Sequence, residues 1–276
     1  MSIISSRMNP KIKEIRSLRL RKTRDETGMF LVEGIRHVGE AVEAGADIRA
    51  IYYAPDLLAS PYAREMIRQQ EQGGMPCYPV STEVFASLAE KENPQGILAQ
   101  VKRSELDLAA LSPSEFPWGV AVVAPQDPGN LGAIIRTIDA VGASGLLLLE
   151  GGVDLYHPTA VRGSMGALFW LRAISASFSD FASWTARYGY HVYGTSAHAE
   201  TDYRHVREYT LPRILLLGSE RGGLSPEQAG ACECLVRLPM LGRASSLNLA
   251  VAAGVMLYAM LDQSDSNWAS SEPVSP

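Results

Sequence analysis

A short run of apolar residues at 119–124, near the middle of the chain, lacks the polar alternation of a half-exposed strand. A strand that is apolar on both faces needs a helix on each side of it, and this is the environment of a parallel sheet. Similar runs follow at 145–149, 191–195, 213–217 and 234–238, with helical spacing between them at 133–141, 159–169, 178–188 and 247–261. We therefore expect a C-terminal α/β domain with a parallel sheet covered by helices.

The first hundred residues show the same alternation on a smaller scale. Asn9 and Pro10 can start a helix, and Ile12, Ile15 and Leu18 repeat at helical spacing within it. Strands are predicted at 29–32, 48–53, 77–80 and 96–101, and further helices at 34–44, 61–72 and 82–91. These elements predict a smaller N-terminal α/β domain.

Composition changes between the two halves and again at the end of the chain. Residues 102–117 are rich in Ser, Pro and charge with no strong period, as in a linker. The expected organisation is an N-terminal domain at 1–101, a linker at 102–117, a C-terminal domain at 118–262, and a polar, disordered tail at 263–276.

The net charge of −5 is distributed unevenly along the chain. Residues 1–24 hold eight basic residues and one acidic residue, a charge of +7, so the remaining 252 residues carry −12. A basic segment on an acidic body is typical of a protein with one surface that meets phosphate, although a solvated basic helix has the same composition. The candidate RNA contacts in this arm are Arg7, Lys11, Arg16, Arg19, Arg21 and Lys22.

Several classes of protein are disfavoured. No apolar run is long enough for a membrane helix, and no signal peptide is visible, so a cytoplasmic location is expected. Three cysteines and five scattered histidines show no metal-ligand spacing, so no metal is expected. The glycine-rich motifs of dinucleotide-binding enzymes and P-loop NTPases, and the catalytic motifs of zincins and α/β-hydrolases, are also missing.

The loops that leave the strands hold the candidate chemistry, because ligands of open α/β sheets gather at the carboxyl ends of the strands. The first loop carries Asn130 and leads into a helix with Arg136, whose rigid guanidinium suits phosphate. The second places Gly218 and Glu220 directly after a strand, and the third carries Ser246 and Asn248 before the last helix. Each loop alone also has an ordinary interpretation: a Pro-Gly-Asn turn, a solvated pair of Glu220 with Arg221, or helix N-caps.

Taken together, these motifs resemble those of a known enzyme family. Three segments resemble the three motifs of the SpoU (TrmH-like) RNA ribose 2′-O-methyltransferases of the SPOUT superfamily. They are Asn-Leu-Gly-Ala-Ile-Ile-Arg at 130–136, Gly-Ser-Glu-Arg-Gly-Gly at 218–223 and Leu-Pro-Met-Leu-Gly-Arg-Ala-Ser-Ser-Leu-Asn at 238–248. The first 101 residues, with Phe-Leu-Val-Glu-Gly-Ile-Arg at 30–36, are similar to the RNA-binding domain related to ribosomal protein L30e. The one departure is Asp127, where the commonest first motif has Asn.

The resemblance implies a C-terminal trefoil-knot domain that binds S-adenosylmethionine. The implied cofactor contacts are Thr195, Gly218, Glu220, Leu238, Met240 and Leu247. In the family, the arginine matching Arg136 is assigned to activation of the ribose hydroxyl. An arginine is a poor base, so an electrostatic role is favoured here. The other implied catalytic residues are Asn130, which would orient Arg136, Glu220, which would position partners in its own loop, and Ser246 and Asn248, which would shape the pocket.

The resemblance also implies partners. Family members are homodimers through the knot domain, often with Arg136 supplied by the other subunit. The expected function is 2′-O-methylation of a ribose in ribosomal RNA, without metal or membrane. The alternatives are a transfer-RNA 2′-O-methyltransferase, a base-modifying knotted methyltransferase, and a non-catalytic RNA-binding or ribosome-assembly protein of the same fold.

Overall fold

The computed structural model describes residues 2–90 and 92–264, which form two compact units. The first unit combines the described residues up to 104 with 154–170, and the second combines 105–153 with the described residues from 171 onward. The change at 104/105 lies inside the segment predicted as a linker. The return of 154–170 to the first unit was not predicted, since the sequence boundaries assign these residues to the C-terminal domain.

The first unit contains a four-stranded mixed sheet with strand order β1-β4-β2-β3. Strand β4 is antiparallel to both β1 and β2, and β3 is parallel to β2. Ile12, Ile15 and Leu18 are buried in its core, as their helical spacing predicts. The elements of residues 1–104 are α1 (Pro10–Ser17), α2 (Arg21–Thr27), β1 (Met29–Glu33), α3 (Ile35–Glu43), β2 (Ile48–Tyr53), α4 (Pro61–Gln72), β3 (Cys77–Pro79), α5 (Thr82–Leu88) and β4 (Ile97–Lys102).

Aromatic packing and a buried ion pair explain why residues 154–170 belong to the first unit. The Phe30 ring lies 4.5 Å from the ring of Tyr156 and 6.3 Å from that of Phe169, measured between centroids. The buried Arg24 guanidinium bonds to the Asp154 carboxylate at 2.7 Å. The predicted helix at 159–169 is shorter in the structure, where helix α7 spans Pro158–Gly163 and a 3-10 turn spans Ala167–Phe169.

The second unit contains seven parallel strands in the order β7-β6-β5-β10-β8-β11-β9. All five predicted strands are present, with helices around them. Strand β7 and the two-residue strand β9 at the sheet edges were missed. The elements are β5 (Trp118–Val123), α6 (Pro128–Ala140), β6 (Gly145–Leu149), β7 (Arg172–Ala176), α8 (Phe178–Tyr188), β8 (His191–Thr195), β9 (Thr201–Asp202), β10 (Arg213–Leu217), α9 (Pro226–Gly230), β11 (Cys234–Arg237) and α10 (Leu249–Ser264).

Two helix boundaries in this unit differ from the sequence interpretation. Helix α6 begins at Pro128 because the Asp127 carboxylate caps it, accepting the backbone N–H of Asn130 at 2.8 Å. Helix α10 continues beyond its predicted end at 261 to residue 264, and so includes residues 263 and 264 that were assigned to the tail. The rest of that predicted tail, 265–276, lies outside the described residues.

Candidate active site

Three loops of the second unit leave the carboxyl ends of neighbouring parallel strands. Strand β10 pairs with β5 on one side and β8 on the other, and β11 pairs with β8. The first loop follows β5 at residues 124–127, the second follows β10 at 218–225, and the third follows β11 at 238–248. Parallel pairing therefore brings the three sequence motifs to one edge of the sheet.

The carboxylate of Glu220 joins the second loop to the first. It accepts the backbone N–H of Gln126, with N···O distances of 3.2 and 3.0 Å to its two oxygens, and that of Asp127 at 3.4 Å. The predicted partners of Glu220 lay within its own loop, so the structure corrects that assignment. It also corrects the alternative of a Glu220–Arg221 pair, since no ion pair joins them in the described part of the chain.

The side chain of Asn248 joins the third loop to the first. Its Nδ2 donates to Oδ1 of Asn130 at 2.8 Å, while its own Oδ1 accepts the N–H of Ala250 at 2.9 Å and of Val251 at 3.3 Å. Asn248 is thus both the N-cap of α10 and a partner of the first motif. Together with Glu220, it ties the three loops into one hydrogen-bonded junction.

Arg136 and Ser246 are not drawn into this junction. Arg136 is exposed, and its position in α6 is six residues beyond Asn130, about 9 Å along the axis and about 120° around it. Among the described residues Asn130 bonds to Asn248 and no hydrogen bond joins it to Arg136, so the orienting role of Asn130 stays a prediction. Ser246 lies in the run 241–248, in which every residue is exposed.

An open cleft of about 320 Å³ lies beside the third loop. Three predicted cofactor contacts, Leu238, Met240 and Leu247, line it. Leu241 also lines it and is 98% exposed, so a bare apolar surface borders the cleft. The predicted contact Thr195 is not in its wall and ends β8, next to β11.

Gly218 is fixed by lack of space rather than by its backbone dihedral angles. A Cβ built there would stand 2.2 Å from the carbonyl carbon of Gly223 and 2.5 Å from the amide nitrogen of Leu224. Backbone atoms cannot move aside as a flexible side chain can, so only glycine permits this close approach of the loop to the end of β10.

The structure adds polar residues to this edge that sequence reasoning missed. Tyr203 and Arg204 line the cleft, and Arg204 bonds to Asp202 through Nε at 3.0 Å and Nη2 at 2.7 Å. These bonds from Arg204 hold the pKa of the Asp202 carboxyl well below its usual range. The spacing Asp-x-Arg gave no signal in the sequence, because it is the 3-10 turn at Tyr203–His205 after β9 that places Tyr203 and Arg204 in the wall of the cleft.

The predicted RNA-binding arm is only partly free. Arg7, Lys11, Arg21 and Lys22 are exposed, with Lys11 Nζ donating to the Tyr78 hydroxyl at 3.1 Å. Arg21 and Lys22 form surface pairs with acidic residues one turn later in α2. Arg16 and Arg19 are half-buried and bond to α5 and the residue that follows it, through Ser87 Oγ at 2.8 Å and the Ala89 carbonyl oxygen. Arg24, included in the +7 charge, is buried against Asp154.

Neither a metal-binding cluster nor a membrane-spanning helix is found within residues 2–90 and 92–264. They contain no group of three His, Cys, Asp or Glu side chains placed to hold a metal ion. None of their helices has the length and apolar character needed to cross a membrane.

A parallel α/β unit with three hydrogen-bonded loops at the carboxyl edge of its sheet is a ligand-binding domain of the kind expected for an enzyme. Residues 117–258 match the model of the SpoU rRNA methylase family, and residues 9–99 match that of the MRM3-like substrate binding domain. The chain belongs to the SpoU rRNA methylase family.

Characterised relatives and solved structures resemble nearly the whole chain. A 23S rRNA (uridine(2479)-2′-O)-methyltransferase of Streptomyces viridochromogenes is 36% identical over 88% of this chain and 86% of its own length. The 23S rRNA (guanosine(2553)-2′-O)-methyltransferase RlmP of Bacillus subtilis is 29% identical over 94% and 98% respectively. The AdoMet-bound rRNA methyltransferase of Sinorhizobium meliloti superposes with a TM-score of 0.86 at 34% identity, covering 94% of this chain and 97% of that one.

Proposed function

We propose that this protein transfers a methyl group from S-adenosylmethionine to a ribose 2′-oxygen of ribosomal RNA. The observation that carries the proposal is the junction in which Glu220 and Asn248 bind the first loop, because it assembles all three family motifs at one sheet edge. The named relatives act on 23S rRNA ribose hydroxyls and support the same substrate class.

The residues at this edge fit the cofactor. Leu238, Met240 and Leu247 offer the aliphatic surface that an adenine ring needs, and Gly218 lets its loop fold back closely against the end of β10. Thr195 and Glu220 would contact the cofactor from the neighbouring strand ends. When bound, the cofactor supplies an electrophilic methyl group on a sulfonium.

Arg136 is proposed to stabilise the developing ribose oxyanion and to hold the RNA phosphate. A ribose hydroxyl is a weak nucleophile at neutral pH, and a guanidinium with a pKa above about 12 assists it by charge rather than by removing the proton. Asn130, Ser246 and Asn248 would shape the ribose pocket. Because Arg136 lies away from the Asn130–Asn248 pair of its own chain, we assign it to the site of a partner subunit.

The last helix supports a homodimer. Its inner face buries Ala253, Met256 and Leu257, yet Val251 and Tyr258 on its outer face are 52% and 55% exposed. A helix that is apolar on both faces needs a second covering surface. We propose that a second copy covers it, that the C-terminal segment forms the family's trefoil knot, and that the enzyme works in the cytoplasm.

The methylation proposal is tested by incubating the full chain with methyl-labelled S-adenosylmethionine and 23S rRNA, followed by alkaline hydrolysis. We expect label in alkali-resistant dinucleotides, since 2′-O-methylation removes the hydroxyl that attacks the adjacent phosphodiester. Label in the mononucleotides that alkaline hydrolysis releases would identify a base methyltransferase. Label found on transfer RNA alone would identify transfer RNA, rather than ribosomal RNA, as the substrate. If calorimetry detected no binding of the cofactor, the protein would be a non-catalytic RNA-binding protein.

The exposed part of the basic arm is proposed to bind RNA backbone. Replacing Arg7, Lys11, Arg21 and Lys22 by Gln is expected to reduce the slope of log affinity against log salt by about 2.8, at about 0.7 per single-strand phosphate contact. Fluorescence titrations of a labelled RNA over a salt series measure this slope. An unchanged slope would assign these residues to a solvated helix surface.

A further inference from the structure

The second unit contains arginine but no lysine, and its arginines fall into two groups. Residues 103–276 lack lysine entirely. Of the nine arginines in the second unit, four have internal partners. Arg172 bonds to the Glu115 carbonyl, Arg187 stacks on Tyr188, Arg204 pairs with Asp202, and Arg213 is buried over Trp118.

The side chains of the other five have no hydrogen-bond, ion-pair or ring-stacking partner among residues 2–90 and 92–264. Three of the five stand at the carboxyl edge of the parallel sheet: Arg221 in the loop after β10, Arg237 at the end of β11 and Arg243 in the loop after β11. The partnered Arg172 and Arg187 stand at the other edge, where β7 begins and α8 ends. Unpartnered cations therefore concentrate at the edge that carries the candidate active site.

Arg221 is held on a rigid turn. Ser219 and Gly223 exchange backbone hydrogen bonds at 3.1 and 3.0 Å, and Ser219 Oγ accepts the N–H of Gly222 at 3.1 Å. Glu220, next to Arg221, has its carboxylate on the backbone of the first loop. Because the Glu220 carboxylate is bound to the first loop, it does not pair with Arg221. The turn therefore presents the Arg221 guanidinium without an internal counter-charge.

Arg243 lies in the middle of the fully exposed run 241–248, five residues before Asn248. It follows the apolar wall of the cleft formed by Leu238 and Met240. Both guanidiniums therefore belong to loops that also carry proposed catalytic residues. A planar guanidinium with free N–H groups binds an oxyanion through two parallel hydrogen bonds.

We propose that Arg221 and Arg243 bind backbone phosphates of the RNA next to the target ribose. The inference rests on the proposed function for the identity of the RNA, but not for the presence of the anion-binding groups. It gives the acidic second unit its own phosphate contacts, separate from the basic arm of the first unit. Their role is to position the ribose, since neither guanidinium is assigned to the reacting atoms.

The test compares Arg221→Ala/Arg243→Ala with the matched control Arg172→Ala/Arg187→Ala, which removes the same charge from the opposite edge. Binding of a labelled single-stranded RNA of mixed sequence is titrated over a salt series with the full chain. We expect the salt slope of the first variant to fall by about 1.4 relative to wild type, for two lost contacts. The control is expected to retain the wild-type slope, and cofactor affinity by calorimetry is expected to be unchanged in both.

Equal slopes for the two double variants would overturn the proposal. A loss of cofactor affinity without a change of slope would also overturn it, by assigning the arginines to the cofactor carboxylate. The methylation assay is separate: if the wild type methylates no RNA but the slope falls as expected, the proposed function fails while the phosphate contacts stand. For an active enzyme, we expect the first variant to raise KM for RNA with little change in kcat.

Discussion

Arg136→Ala is expected to lower the rate of methyl transfer by about 10²- to 10³-fold, the usual cost of removing one group that stabilises a developing oxyanion. The fold should be unaffected, because Arg136 is exposed on α6 and Leu131, Ile134 and Ile135 bury the opposite face. Single-turnover kinetics with saturating cofactor and RNA measure the effect. Arg172→Ala, an exposed arginine at the far edge of the sheet, is the control and should retain full activity.

The placement of Arg136 away from Asn130 and Asn248 leads to a sharper form of this experiment. If each site combines Arg136 of one subunit with Asn248 of the other, mixing inactive Arg136→Ala and Asn248→Ala homodimers under exchange should restore about a quarter of the sites. Only mixed dimers contain a site with both native residues. Activity that stays at the level of the separate variants would place Arg136 in the site of its own chain.

The buried strands could be predicted because a continuous apolar run is a local feature of the sequence. Strands β6, β8 and β10 were predicted with their observed bounds, and β5 and β11 differ from prediction by no more than one residue at an end. Such strands are apolar on both faces whatever surrounds them. Strand β7 was missed because it is an edge strand that begins with an exposed arginine and buries only Ile174 deeply.

The contacts between loops could not be predicted from spacing alone. Asn130 and Asn248 are 118 residues apart, and Glu220 reaches Gln126 across 94. The motifs identified which residues matter, but the partners depend on the order of strands in the sheet. The same limit applies to Arg24, which contributed to the basic charge of the arm, whereas its partner Asp154 lies 130 residues later.

Arg24→Ala is expected to lower the free energy of unfolding by about 3 kcal/mol, because it leaves the Asp154 carboxylate buried without its main partner. The side chains of Arg24 and Asp154 are 2% and 8% exposed. Arg24 Nη1 also donates to the carbonyls of Leu18 at 2.8 Å and Arg19 at 2.7 Å, and these acceptors would lose their partner. Arg103, with Nη2 3.8 Å from Asp154, still offers partial compensation, which places the cost at the low end of about 3–5 kcal/mol.

The companion variant Arg24→Met/Asp154→Leu separates an unpaired charge from lost packing. Replacing both members of a buried pair by apolar groups of similar volume removes the desolvation cost of each charge, so this variant should recover part of the lost stability. The remainder reflects the bonds of Arg24 to the Leu18 and Arg19 carbonyls and of Asp154 to the Tyr156 N–H, which the variant does not restore. Arg21→Ala, which breaks an exposed pair in the same helix, should cost no more than about 1 kcal/mol. Urea unfolding of the full chain measures all three. If Arg24→Ala proved no more destabilising than Arg21→Ala, the Arg24–Asp154 ion pair would not be the interaction that holds residues 154–170 in the first unit.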